Sequence, residues 1–384
     1  MKRIYLDHNA TTPVNPDVLK AMLPFFEASF GNASSAHRFG QEVQEAMAGA
    51  REQVAGLIGA DPANIIFTSG GTESDNLAIK GIAYANEKKG KHIVTSQIEH
   101  PAVLSTCKFL EKQGFETTYL GVDRYGKVDP DQLRDSIRND TILVSIMHGN
   151  NEIGTVQDID EIGRIAAERG VYFHTDAVQT CGKIPVDVNK SHVTLLSLSA
   201  HKIYGPKGVG ALFVRKGARI VPLLHGGHHE ANRRAGTENI PGMVGMGKAC
   251  ELAQRAIEQD RQRLTGLRDR LQSKLIERIE DTVTNGHPTD RLPNTLNMCF
   301  RYVEGESMIM MLDMKGVAVS SGSACTSGSL DPSHVLLAIG LSHEIAHGSL
   351  RFSLGVENTR EDVDYVAEVL PEIVGRLRKM SALA

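Results

Sequence analysis

The sequence predicts an α/β fold: a large, mostly parallel sheet with helices on both faces, followed by a smaller α+β domain. Three observations predict it. Between about residues 60 and 215, seven β-rich runs alternate with helix-like stretches, the pattern of strand–helix–strand units. From about 242 to 281 the chain reads as one long helix, with Leu264, Leu267, Leu271, Leu275 and Ile279 on a single face. And 384 residues exceed what one ordinary core holds.

Strands are expected at 64–68, 92–96, 116–120, 141–147, 171–176, 193–197 and 210–214, most of them separated by helices such as 73–89 and 159–169. One connection breaks the rule. Residues 198–209 hold several glycines and a proline and are too short for a crossover helix, so the 210–214 strand is expected to run antiparallel to its neighbour. Shorter strands follow the long helix at 295–300, 316–320 and 349–353, and a final helix spans 359–380. The expected division is a large domain at 13–260 and a small one formed by 1–12 with 261–384, hinged on the long helix. No internal repeat or low-complexity tract is found.

Composition narrows the function. A net charge of −4, with no basic aromatic tract, gives no field to collect nucleic acid or an anionic membrane. No run reaches the ~18–20 apolar residues that span a bilayer, and no apolar stretch follows the two basic residues near the start, so no secretory leader is expected. The expected compartment is the cytoplasm. The five cysteines are scattered without a Cys-x-x-Cys pair, which predicts neither disulfides nor a thiolate zinc site.

Open sheets bind ligands at the carboxyl ends of their strands. After the first strand comes Thr68-Ser-Gly-Gly-Thr-Glu73 before a helix: an anion cradle, or an ordinary glycine turn with a threonine cap. After the fifth comes Asp176, with Gln179 beyond: a metal ligand, a helix cap, or the partner of a protonated heterocycle. After the sixth comes Lys202, in Ser197-Leu-Ser-Ala-His-Lys-Ile-Tyr-Gly-Pro-Lys-Gly208. Burial lowers a lysine's pKa and makes its amine nucleophilic, whereas a surface lysine would only snorkel; Lys207 reads as solvated. A phosphate cradle, an acid and a lysine at successive strand ends are together what pyridoxal 5′-phosphate (PLP) requires. The phosphate anchors, the acid keeps the ring nitrogen protonated, and the lysine bonds the aldehyde. Finally, Cys325 stands in Ser320-Ser-Gly-Ser-Ala-Cys-Thr-Ser-Gly-Ser-Leu-Asp331, a run of small residues read as a mobile loop (about 320–333). A carrier thiol explains that placement better than a tolerated surface cysteine. The other four cysteines read as small core residues.

The segments Tyr5-Leu-Asp-His-Asn-Ala-Thr-Thr12, 68–76, Glu99-His-Pro101, Asn150-Asn-Glu-Ile-Gly154, 174–179, 197–210, Arg234-Ala-Gly-Thr-Glu-Asn239, 320–327 and Leu350-Arg-Phe-Ser353 resemble the cysteine desulfurases. These are class V, fold-type I PLP-dependent transferases, and the likeness is to the NifS/IscS-like members with a long cysteine loop. It implies conversion of L-cysteine to L-alanine with sulfur parked on Cys325 as a persulfide, for an iron–sulfur scaffold or another sulfur acceptor. It also implies roles. Lys202 bonds the cofactor, Asp176 partners its ring nitrogen, and Gln179 donates to its ring oxygen. His100 stacks on the ring and works as acid–base. Gly71, Thr72, Ser199 and His201 hold the phosphate. Thr237 reaches the phosphate of a second subunit, hence a homodimer. Asn151 and Arg351 bind the substrate carboxylate. Read without the resemblance, His100 would be a cap or packing residue and Arg351 a surface ion pair. Two alternatives stay open: a selenocysteine lyase, and a sulfur-delivery scaffold active mainly with a partner.

The sequence departs from the family pattern at His8, at His229, Ala231 and Asn232, and at Val356-Glu357. These departures bear on dimer contacts and partner-facing surface. The histidines of 225–229 have only Glu230 as a nearby acid, so no metal site is expected.

Overall fold

The computed structural model describes residues 3–321 and 332–380. Its strands are β1 (Ile4–Tyr5), β2 (Ile65–Thr68), β3 (His92–Ser96), β4 (Glu116–Leu120), β5 (Thr141–Ser145), β6 (Tyr172–Asp176), β7 (Leu195–Ser199), β8 (Gly210–Val214), β9 (Thr282–Asn285), β10 (Thr295–Phe300), β11 (Val317–Ala318) and β12 (Ser349–Ser353). Seven of them form one sheet in the order β2-β8-β7-β6-β5-β3-β4. From β7 to β4 neighbours run parallel. As expected from its short connection, β8 is antiparallel to both β7 and β2. Residues of β3, β5, β7 and β8 are buried throughout, as required of strands covered on both faces.

β7 lies two residues later than the sequence suggested. Ser197 and Ser199 read as a strand end, yet Ser197 Oγ pairs with His174 at 3.0 Å and Ser199 opposes Gly210 across the ladder. A buried hydroxyl with a partner costs a strand little. β5 is shorter than expected, because the chain leaves the ladder after Ser145. Ile146 N and His148 N still donate to His174 O (3.1 Å) and Asp176 O (2.9 Å). The helix Arg38–Leu57 was not foreseen. Its apolar stripe is thin, diluted by Gly, Ala, Gln and Glu, and its stability comes from packing along the long helix.

That long helix, Ile240–Arg278, spans about 58 Å. Met243, Met246 and Cys250, on its first half, enter the core beneath the large sheet. Leu264, Leu271 and Leu275, on its second half, join a separate core with Ile4, Leu6, Phe300, Phe352, Val366 and Leu370. Over this second core lies a three-stranded antiparallel sheet, β12-β10-β9. The N-terminal segment connects the two cores. Leu6 N donates to Ala318 O and His8 N to Ser353 O, while Thr12 N and Asn15 N reach His201 O and Tyr204 O, at 2.8–3.1 Å. The first dozen residues therefore run from the small sheet onto the turn that carries Lys202.

Candidate active site

The carboxyl ends of β2, β6 and β7 converge on a cavity of about 380 Å³. Lys202 reaches it from a single 3₁₀ turn, Ala200–Lys202, directly after β7. Its Nζ donates to Asn9 O at 2.5 Å and Ala10 O at 2.8 Å. It is therefore half-buried under the N-terminal segment and does not snorkel to solvent.

Asp176 ends β6, with one carboxylate oxygen 2.9 Å from Val178 N. Burial raises its pKa, and the pull of His100, the Val178 N–H and the Lys202 charge oppose the rise. Nearby, Asp75 is more deeply protonated. Burial and then the Asp176 charge push its pKa well up, and its Oδ1 has no hydrogen-bond partner among the described residues. His174 Nε2 lies 3.6 Å from Asp75, but burial lowers the His174 pKa to about 3, so this is no ion pair. Two carboxyls in one pocket cannot both carry charge at low cost. Burial and the Asp176 charge favour the protonated form of Asp75, which leaves Asp176 the more available to a cation.

The helix Gly71–Asn86 begins at this pocket with Gly70 as its N-cap, which offers no side-chain cap. The threonine cap considered as an alternative is thus not formed, and the first backbone N–H groups face Ser199 and His201 across the cavity mouth. A Cβ on Gly71 would sit 2.9 Å from Val178 Cγ2, so the helix start fits against the β6 end only as glycine. His201 Nδ1 is 3.1 Å from Thr11 Oγ1.

His100 is both cap and cavity wall. Its Nδ1 accepts from Ala102 N at 3.1 Å, which assigns the ring proton to Nε2. Burial lowers its pKa, so the ring is neutral at neutral pH, against the pull of Asp176. On the opposite wall, Arg351 is 3% exposed, which removes the surface reading. It does form an ion pair, Nη2 to Asp7 Oδ1 at 2.7 Å, while Nη1 donates to Asn151 O at 3.0 Å. Its Nε is buried and has no partner among the described residues. Gln179 completes the wall, donating from Nε2 to Asn9 O at 3.1 Å.

Gly71, Thr72, His100, Asn151, Asp176, Gln179, Ser199, His201, Lys202 and Arg351 are thus brought together. Thr237 is not among them; it is exposed in the segment after the 3₁₀ turn His229–Asn232. Cys325 lies outside the described residues. The other four cysteines are buried and free, with burial pushing Cys107 and Cys250 up to about 12 and Cys299 to about 11. They are inert thiols.

Set beside known proteins, residues 4–366 match the aminotransferase class-V family model. The chain is 59% identical over 382 residues to the cysteine desulfurase IscS of Methanosarcina thermophila, covering 100% of this chain and 94% of that one. It belongs to the class-V aminotransferases, in their NifS/IscS-like cysteine desulfurase branch. A second desulfurase, IscS of Dictyoglomus turgidum, is 58% identical over 99% of this chain and 97% of its own. Among solved structures, a NifS-like protein superposes with a TM-score of 0.92 at 40% identity, covering 98% of this chain and 100% of that one. SspA in complex with cysteine superposes at 0.81 and 40% identity, over 92% and 99%.

The departures from the desulfurase pattern fall in two places. His8 Nε2 is 4.0 Å from Glu357, but burial lowers the His8 pKa to about 4 and the ring stays neutral. Glu230, Ala231 and Asn232 hold left-handed backbone, with φ of 46°, 54° and 63°. Glu230 is pinned there by Arg51, at 2.6 and 2.8 Å, and by Phe67 N at 2.8 Å on the edge strand β2. Sequence reasoning missed two residues of the site, Asn9 and Asp75, and Lys183 behind it. Asp75 carried a readable signal, being a polar residue four positions after Gly71 on a helix face otherwise filled by Ala78, Ile79 and Ile82.

Proposed function

We propose that this chain is a PLP-dependent cysteine desulfurase that converts L-cysteine to L-alanine and places the sulfur on Cys325 as a persulfide. The observation that carries the reading is one cavity holding an amine (Lys202), an anionic-capable carboxyl (Asp176), an uncapped helix start and a guanidinium (Arg351). These are the donors and acceptors that the cofactor and an α-amino acid need. Gly70–Thr72, Ser199 and His201 would hold the phosphate, Asp176 the ring nitrogen and Gln179 the ring oxygen. When bound, PLP supplies an aldehyde for amine exchange and a protonated ring that draws electrons from the substrate Cα.

The chain's own residues do the rest. Arg351 and Asn151 orient the substrate carboxylate. Lys202 Nζ takes the proton from Cα, and His100, neutral and oriented by its cap, serves the proton transfers at the substrate thiol. Cys325 Sγ then attacks the substrate sulfur. The S–S bond forms as the Cβ–S bond breaks, and the carbon skeleton takes up protons and leaves as L-alanine. SspA was solved with cysteine bound, which supports cysteine as the substrate. The exposure of Thr237 suits a residue that serves a second subunit of a homodimer, with an iron–sulfur scaffold or other acceptor protein receiving the sulfur. No helix among the described residues is long and apolar enough to cross a membrane, and the proposed compartment is the cytoplasm.

The test is purified Cys325→Ala supplied with PLP. It should keep the visible cofactor absorbance and lose alanine formation from cysteine by at least two orders of magnitude. Undiminished alanine formation in that variant rules out the persulfide route.

A further inference from the structure

The side-chain amide of Gln179 can sit either way round, and its neighbours choose. Nε2 faces Asn9 O at 3.1 Å, and Oε1 accepts from Lys183 Nζ at 2.9 Å. A carbonyl oxygen can only accept, and Lys183 Nζ carries N–H groups to donate to Oε1, so both contacts favour the same orientation. The Asn9 constraint alone is weak, because the same carbonyl also receives Lys202 Nζ at 2.5 Å. The terminal amide torsion of glutamine is broad, so with one partner it would sample both faces.

Lys183 stands behind the cofactor cavity. It lines, with Lys202, a separate space of about 290 Å³, and its hydrogen bonds to the site among the described residues go to Gln179 and, at 3.4 Å, Asn9 Oδ1. The charged and titratable groups that act on it, among the described residues, are Lys202, Arg351, His8 and His201. Burial, followed by the first two, lowers its pKa to about 7, so its nearest acceptors are neutral amides. Either protonation state still offers an N–H to Gln179.

We propose that Lys183 is a positioning residue: it locks the Gln179 amide with its N–H face toward the cofactor ring oxygen. This rests on the reading of the cavity as a PLP site. It uses no contact between Lys183 and substrate, and it assigns work to a lysine that the reaction itself leaves idle.

The readout is the pH midpoint of the visible cofactor band in the purified holoenzyme. A hydrogen bond to the ionised ring oxygen lowers that midpoint, and losing it raises the midpoint by about one pH unit. Lys183→Met should show that rise, with Lys183→Leu as the alternative should the Met variant not fold. Lys183→Arg, which keeps a donor, should stay within a few tenths of the parent. Gln179→Leu should give the same rise, and Gln179→Leu combined with Lys183→Met should match Gln179→Leu alone, since one residue acts through the other. Two independent shifts that add, or an unmoved midpoint in Lys183→Met, overturn the proposal while leaving the cofactor reading intact. A parent protein with no visible band when supplied with PLP overturns both.

Discussion

The proposed binding of the substrate carboxylate by Arg351 is open to a direct test, and Arg351→Lys is the perturbation that probes it. Arg351 spends Nη2 on Asp7 and Nη1 on Asn151 O, leaving Nε buried without a partner among the described residues. A lysine ammonium cannot hold both contacts and present a third donor in the same plane. The variant therefore loses at least one charge-assisted hydrogen bond to substrate, worth about 1.5–3 kcal/mol. That range corresponds to roughly 10- to 150-fold in kcat/KM. The lower part, about 10- to 30-fold, is expected, because Asp7 already neutralises much of the guanidinium charge. The assay is alanine formation against cysteine concentration, with cofactor content read from absorbance. The loss should fall mainly on KM and leave the cofactor band unchanged. A kcat/KM within threefold of the parent, at full cofactor content, would refute Arg351 as the carboxylate ligand.

Three further outcomes follow from the buried charges. Burial raises the Glu99 pKa to about 8, above its unfolded value, so the folded state keeps a proton that the unfolded state releases. The linkage slope is negative between about pH 4.5 and 8, and stability falls by up to a few kcal/mol as pH rises through that window. Glu99→Gln should flatten this loss in urea unfolding at pH 5.5 and 8, and an unchanged pH slope would show Glu99 to be solvated. Glu230→Gln breaks the carboxylate pairing to Arg51 and Phe67 N and should cost about 2–3 kcal/mol; an unmoved urea midpoint would contradict the pinning of the 229–232 turn. Asp75→Asn should keep activity at pH 7 within a few-fold, because burial and the Asp176 charge favour the protonated carboxyl that Asn mimics, and a hundredfold loss would mean that Asp75 works as an anion.

Much of the site was legible because strand ends are legible. β2, β6 and β7 each stop at a residue that an apolar run would not tolerate, and Gly71, Asp176 and Lys202 follow from that pattern together with the rule that open sheets bind ligands at their carboxyl edge. The antiparallel β8 was legible for a simpler reason, the length of its connection. Arg351 was ambiguous, since a lone arginine opening a strand reads as surface until β12 is paired with β10 and Arg351 with Asp7. Asn9 and Lys183 could not be read at all. Asn9 acts on Lys202 across 193 positions and on Thr295 across 286, and no local period carries such a contact. The helix Arg38–Leu57 was missed for the opposite reason: its partner, not its own pattern, makes it stable.

Asn9 explains why the N-terminal segment belongs to the chemistry and is more than a tether. Its backbone oxygen receives Lys202 and Gln179, and its side chain engages Thr295 on β10, Asn294 before it, and Asn151 O. The lysine of the large sheet, the small sheet and the loop beside the substrate carboxylate therefore meet at one residue that is 1% exposed. Each bond contributes only about 1 kcal/mol net, but the groups are mutually constraining, and moving any one displaces the acceptors of the others. In the proposed reaction, a lysine that first bonds a cofactor and then moves a proton needs acceptors that stay put when its own partner changes. Backbone carbonyls supply them, since they neither titrate nor swing, and the hydrogen bonds from residues 4 to 15 to both cores hold Asn9 and Ala10 in place. This also accounts for the tight surroundings of His8. The ring lies 2.2–2.4 Å from where a Cβ on Gly355 would stand, so the neutral imidazole fills the seam between the two cores one residue before Asn9, fixing the segment by packing where an ion pair to Glu357 does not form.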